Sequence, residues 1–440
     1  MKLFLTSILL IIISSCSFDN KTGIWKNSNE VNSKTENRFE GFETLYSQTK
    51  SFNSLIEPKN NLKIILESVQ SNLKWTDEYY KNSNSLDNFS YKDLNELIFK
   101  SKKLSQYKIK DRLLYDNHKA IITDDKGNIV VYSIENQKII LKYNFYKKKF
   151  KKIKKILNII IENNIIYIGD NFGYLYALDY VNNKLLWAKN YKIPFRSNLK
   201  ITGQTLLIAD INNSLYFINK ENGDKLNILP TEDTIIKNNF VNSLALNKDS
   251  IFYLNTYGSL YSTSNRGRIK WFINLNQSLD INPNNLFYAH PIILHQDKLF
   301  ISTDLYLYIL NQKNGSMLNK IAITSLLKPV ISGESLFLVT KDNLLVCINL
   351  NTGEIIYSID INQNIANFLD TKKKSVNIKS LVIINNDLLL FLNNAYLVKF
   401  GAAGKIKNIA KLSSKLNSFP IFIEDSMIYL NNKNKLIITN

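Results

Sequence analysis

Two cysteines, three histidines and three methionines in 440 residues leave little material for redox, thiol or metal chemistry. A disulfide framework needs several cysteines in pairs, and a structural zinc site needs four closely spaced Cys or His ligands. The cysteines are Cys16 and Cys347, and the histidines are His118, His290 and His295, with no metal-ligand spacing among them. Cys347, inside the apolar run LLVCINL, reads as a small core hydrophobe. Glycine is also scarce, 14 residues against a usual ~7%, which excludes a linker-rich chain. No apolar stretch approaches the roughly 20 residues of a membrane-spanning helix, and the leading one, residues 3–13, has barely half that length. Acidic charge is short as well. Asp and Glu number 37 against 56 Lys and Arg, a formal net charge of +19 that favours anionic partners.

That short apolar start follows Lys2 and ends at Ser14-Ser15-Cys16, the layout of a secretion signal over 1–15. Ile13-Ser14-Ser15-Cys16 resembles a bacterial lipobox, which implies that Cys16 carries lipid and becomes the first mature residue. Ser17 stands where an aspartate would imply inner-membrane retention, so outer-membrane sorting on the periplasmic face is expected. An ordinary signal with an incidental cysteine is the bland alternative. With Cys16 acylated, Cys347 has no disulfide partner, and removing Lys2 leaves a charge of about +18.

The body of the chain repeats. Residues 163–190, NNIIYIGDNFGYLYALDYVNNKLLWAKN, hold three β-rich runs separated by two turns, and the plan recurs through residue 412. The second turn falls at Gln137, Asn183, Gly223, Gly267, Gly315, Gly353 and Gly404, a period of 38 to 51 residues. Such a period is that of propeller blades. Trp187, Trp271 and Tyr357 lie four residues past that turn in three units, where a large ring is expected to pack between blades. The final unit ends after two strands, so the remaining strands of its blade must come from the N-terminal side. The run NELIFKSKKL, residues 95–104, is the donor, with residues 426–439 pairing near Leu97 and Lys100. The prediction is an all-β, eight-bladed propeller of four-stranded antiparallel blades over 96–440. Residues 16–95 precede it as an Asn-, Ser- and Lys-rich tether, mostly irregular, with a short helix expected within 61–73.

The unit Ile165-Ile166-Tyr167-Ile168-Gly169-Asp170, Gly173 to Asp179, Lys184-Leu185-Leu186-Trp187 resembles the repeat of pyrroloquinoline-quinone-type propellers. With a lipobox and eight units, the chain resembles the BamB-type lipoproteins of outer-membrane β-barrel assembly. The resemblance implies a non-enzymatic periplasmic scaffold, held on the membrane by its lipid. Its partners would be the barrel-forming subunit and, as clients, unfolded outer-membrane proteins. No cofactor and no nucleic acid are expected.

Two other classes share the fold. A quinoprotein dehydrogenase needs a calcium with oxygen ligands, a catalytic carboxylate and a flat aromatic floor. Asp170, Asp179, Asp210 and Asp360 sit at strand ends, where aspartate serves turns more often than catalysis. A glycan- or ligand-binding propeller is the third class.

Two candidate contact sites stand out. Phe195 and Arg196, in KIPFRSNLKI between the second and third units, combine residue types enriched at interface hot spots. They resemble, in a general way, the Leu-Arg loop through which this family contacts the barrel-forming subunit. The densest basic run is YKKKFKKIKKI, with Lys147, Lys148, Lys149, Lys151, Lys152, Lys154 and Lys155. For an exported protein it suits anionic headgroups or an acidic partner, or stands as a solvated loop.

Overall fold

A computed structural model describes residues 52–440 apart from 148–149, 151, 234–239 and 277–286. In the first fifty residues, which form a separate unit, it describes only the antiparallel pair Cys16–Phe18 and Trp25–Asn27. The signal segment 1–15 lies outside the described residues, and of Cys16 only the backbone is placed.

Eight four-stranded antiparallel blades follow one another around an axis, which makes the fold an eight-bladed β-propeller. The second blade shows the pattern: Leu157–Glu162 innermost, then Ile165–Asp170, Tyr174–Asp179 and the outer Lys184–Asn190. Its three inner strands are almost wholly buried while the outer one alternates with solvent, as expected for strands packed on both faces and an edge that is not. Hairpin turns between the first two and last two strands lie on one face, the turn face. Inter-blade connections, together with the turns between the second and third strands, lie on the other, the loop face.

One device recurs between blades. In each of the first seven, the outer hairpin carries a β-bulge, for example at Ala177/Leu178. The residue paired next to the bulge projects toward the following blade, because a bulge bends and twists its strand locally. Trp187 donates its indole N–H to the carbonyl of Lys220 at 2.9 Å, and Trp271 donates to Gln312 at 3.1 Å. The Tyr357 hydroxyl reaches Ala402 at 2.8 Å. The aromatic rings therefore pack between blades as the spacing predicts. In the blades between them the position is asparagine: Asn227 donates to Arg266 at 2.9 Å. Ring and amide thus alternate from the second blade to the seventh, while the first blade has Leu141 there.

The ring closes as expected in register and differently in count. Lys435–Thr439 pairs antiparallel with Leu97–Lys103, matching Ile437 with Lys100 and Ile438 with Phe99. Only that one strand comes from the N-terminal side, because the last blade has an inner strand of its own, Ile421–Ile423. Three residues are too few to show an alternating pattern in sequence.

Residues 61–73 form no helix. Their backbone groups turn outward to the propeller instead, as Glu67 N–H donates to Ser332 Oγ and Gln70 N–H to the Asn88 carbonyl. The helix among the described residues, α1 (Ile361–Leu369), lies between the sixth and seventh blades. Asp360 caps it by accepting from Gln363 N–H at 3.0 Å. No helix is long and apolar enough to cross a membrane among the described residues.

Candidate functional site: the loop face and the filled axis

The four strand-end aspartates have structural employment. Asp170 Oδ1 accepts the N–H groups of Phe172 and Tyr174, and Asp210 Oδ1 those of Asn212 and Ser214. Burial nonetheless holds both carboxyls above their usual range, against those hydrogen bonds. Asp179 holds the turn at Val181 and Asn182, and Asp360 caps α1. Each satisfies backbone donors that a tight turn would otherwise leave unpaired.

Phe195 and Arg196 lie on the loop face, at the seam of the second and third blades. Phe195 is buried, its ring meeting Tyr191 and Tyr216 edge-on at 5.5 and 5.7 Å. Its backbone N–H donates to the Asp170 carbonyl, which fixes the loop to the blade before it. Arg196 is half-buried, its N–H bonded to the Ala209 carbonyl and its guanidinium 3.4 Å from Thr256 Oγ1. Burial lowers its affinity for the proton, while Tyr253, Asp210 and Asp233 oppose that effect.

The lysine run divides. Lys147, Lys152 and Lys154 are exposed on the connection between the first two blades, whereas Lys148, Lys149 and Lys151 lie outside the described residues. Lys155 is buried, donates to the Phe150 carbonyl and sits 5.3 Å over the Tyr146 ring. It is part of the packing beneath Gly127, where an added Cβ would meet Tyr146 at 2.4 Å. The histidines likewise tie strands together: His290 Nε2 lies 3.0 Å from the Ser325 carbonyl and His295 Nε2 3.0 Å from that of Gly333. Cys347 is fully buried, with its thiol pushed up to about 12 by burial.

Sequence reasoning missed the centre of the molecule. Residues 65–91 run inside the ring of innermost strands and touch all eight blades. Trp75 and Tyr115 exchange two backbone hydrogen bonds, and Ile161 N–H donates to Thr76. Lys200 reaches Asp77, Leu246 N–H donates to Asn82, and Leu294 N–H to Ser83. Glu67 binds Ser332, Asn88–Phe89 adds a parallel strand to the seventh blade, and Asn72 donates to Phe422. Trp75, Tyr80 and Phe89 pack with tilted or edge-on rings, centroids within 5.5 Å of one another, across the axis.

The axial charges are matched in part. Lys200, fully buried, pairs with Asp77 at 2.7 Å, and Lys110 with Glu78 at 2.6 Å. Desolvation lowers the Lys200 ammonium while Asp77 raises it, the balance expected of a buried ion pair. The one sequence signal was WTDEYY, residues 75–80, a dense aromatic and acidic hexapeptide in an otherwise plain polar segment.

A quinone cofactor would need an open cleft with an oxygen donor set. Trp75, Tyr80 and Phe89 occupy the axis, and among the described residues no three His, Cys, Asp or Glu side chains are grouped to hold a metal. These residues do not fit that group.

A family profile described as outer membrane protein assembly factor BamB matches residues 147–358. The uncharacterized protein RP232 of Rickettsia prowazekii (strain Madrid E) is 26% identical over 250 residues, which covers 54% of this chain and 59% of that one. The chain thus spans less than two thirds of the length of the curated relative it matches. The crystal structure of BamB from Moraxella catarrhalis superposes with a TM-score of 0.61 at 13% identity, over 78% of this chain and 98% of that one. Quinohemoprotein alcohol dehydrogenase from Comamonas testosteroni superposes with a TM-score of 0.60 at 9% identity, over 81% and 76%. At such identities the likeness is one of fold, which enzymes and non-enzymes share.

Proposed function

On the footing of a BamB-type propeller with PQQ-like repeats, we propose that this chain is a non-enzymatic scaffold for outer-membrane protein assembly. Cys16 carries the lipid that holds it on the periplasmic face of the outer membrane, with 16–95 as the leading segment and 96–440 as the platform. The observation that carries the reading is the filled axis. With Trp75, Tyr80 and Phe89 packed across the axis, the surfaces left to engage a partner are the loop face, the blade edges and a polar cavity of ≈ 630 Å³ beside Asp77 and Tyr80.

Arg196 is the contact to the barrel-forming subunit, while the buried Phe195 sets the position of its loop. The outer strands of blades two to five expose Leu186, Leu226, Phe272 and Leu318, unpaired edges onto which an extended client strand can add. Affinity purification from solubilised outer membrane tests the reading. The wild-type chain is expected to recover the barrel-forming subunit and Arg196→Glu to lose it, with unchanged circular dichroism as the folding control. Equal recovery by both would falsify the assignment of Arg196. Recovery of no assembly subunit by either would overturn the scaffold reading.

A further inference from the structure

The axis holds more positive charge than its own acids neutralise. Asp77 and Glu78 are taken by Lys200 and Lys110. Arg112 and Lys328 remain, half-buried, and neither forms an ion pair with a carboxylate among the described residues. Both stand just before the start of an innermost strand, Leu114–Asp116 and Val330–Ser332, at the loop-face end of the axis. The Arg112 guanidinium lies 5.0 Å over the Tyr79 ring and 4.8 Å over Phe419, and the Lys328 ammonium 5.9 Å from the same Tyr79 ring.

Their donors are mostly unused. Arg112 offers five N–H groups in a planar fork and makes no hydrogen bond among the described residues. Lys328 spends one donor on the Asn84 carbonyl at 2.5 Å. The Tyr79 hydroxyl has no partner there either, and burial raises it to about 12 despite Arg112, so it stays a donor at neutral pH. Two like charges on one ring, partly withdrawn from water, repel unless a counter-charge joins them.

We propose that the loop-face mouth of the axis binds a small oxyanion, carboxylate or phosphate, between Arg112 and Lys328 across the Tyr79 ring. This site is separate from the Arg196 contact and stands whether or not the scaffold reading does. Tyr79 also lines a neighbouring cavity of ≈ 180 Å³ with Asn198, Asn242, Ser243 and His290, whose lining does not include Arg112 or Lys328. The guanidinium fork suits the paired oxygens of either group.

The binding is pH-dependent. The Lys328 ammonium is held down to about 7 by burial first, then by Arg112 and Lys200, against the attraction of Asp77, and the His290 imidazole, itself held below its usual range by burial, also feels its charge. An anion binds the protonated form, so affinity strengthens as pH falls through about 7 and weakens above it, by at most about tenfold per pH unit.

Isothermal titration of the full chain in an uncharged detergent tests the site, with inorganic phosphate and succinate as separate probes in low-chloride buffer. Saturable one-to-one binding is expected, weakened at least about tenfold by Arg112→Gln and by Lys328→Gln. Lys405→Gln, exposed on the turn face, is expected to leave it unchanged. Arg112→Lys should restore part of it, and with succinate, whose carboxylates are both ionised near neutrality, Lys328→Gln should remove the pH dependence near 7. Tighter binding of phosphate assigns a phosphate ligand, and tighter binding of succinate a carboxylate. Circular dichroism and a melting curve for each variant separate lost binding from lost fold. No saturable binding of either probe, or equal affinities in the wild type and a folded Arg112→Gln/Lys328→Gln double variant, overturns the proposal.

Discussion

The indole of Trp187 lies on Gly223 of the next blade and donates its N–H to the Lys220 carbonyl at 2.9 Å. Gly223 has φ of +73°, and a Cβ there would stand 2.5 Å from the indole Cε3. The turn needs glycine twice over, for its left-handed backbone and for the approach of the ring. Gly223→Ala is therefore expected to destabilise the chain by about 1–2 kcal/mol from backbone strain alone, and more from the displaced ring. Trp187→Ala should cost roughly 2–3 kcal/mol, the low side for a large ring because the indole is half-buried. Urea denaturation of both variants and of their combination measures this. Because ring and glycine share one contact, the double variant should lose less than the sum of the two. Strict additivity would show that the contact does not hold the seam.

Asp77 and Lys200 are a second such pair, 123 residues apart in sequence and joined at 2.7 Å in the interior. Lys200 is fully buried and donates to the Lys81 carbonyl as well. Removing one partner strands a buried charge, so Asp77→Asn is expected to cost about 3–5 kcal/mol. Replacing both, as Asp77→Leu with Lys200→Met, should recover much of that loss, since an apolar pair of similar volume needs no desolvation. Thermal melting of the three variants decides. A double variant no more stable than Asp77→Asn would point to the backbone hydrogen bonds of the plug as the stronger link.

These two pairs show what could be read ahead of the structure. Gly223, Gly267, Gly315 and Gly353 were legible because the positive φ of the outer turn favours glycine, and that turn recurs through seven blades, with Gln137 and Asn183 taking the place in the first two. Trp187, Trp271 and Tyr357 were legible for the same reason, while Asn227, in the same place, carries no composition signal of its own. The plug was not legible, because the backbone of residues 65–91 finds its partners on eight separate strands and no local periodicity records them. Helical spacing misled at 61–73, and α1 was not read from the sequence at all, since tertiary hydrogen bonds and one cap outweigh propensity in segments so short. At the loop face, Arg196 could be singled out from sequence. Arg112 and Lys328 could not, because 216 residues separate them and only the propeller brings both to Tyr79.

Closure of the ring depends on the last strand, Lys435–Thr439, which lies between Ser426–Leu430 and the outer Leu97–Lys103. Deleting residues 435–440 removes the buried Leu436, Ile437 and Ile438 and leaves the outer strand nothing to pair with. Burial of three such side chains stabilises by about 5 kcal/mol or more, comparable with the whole stability of an ordinary domain. The truncated chain is expected to be insoluble or to melt without a cooperative transition. A soluble truncated chain with an unchanged melting temperature would remove the closing strand from the stability argument.

Lys328 gives the stability of the chain a pH dependence whose sign can be worked out. Its ammonium titrates at about 7 in the folded protein against an ordinary 10.5 in an unfolded chain. Between those values the unfolded state holds more protons, so stability rises as pH is raised through that window, and the penalty is fully present below about 7. This is the reverse of the usual salt-bridged lysine, because burial and the cations Arg112 and Lys200 outweigh the attraction of Asp77. Denaturation at about pH 6 and about pH 9 is expected to show the wild type gaining stability over Lys328→Met at the higher pH. The variant keeps an unbranched side chain in the same space and removes only the titrating group and its bond to Asn84. A difference from Lys328→Met that stays the same at both pH values would mean that Lys328 is charged throughout, with a counter-ion already in place beside it.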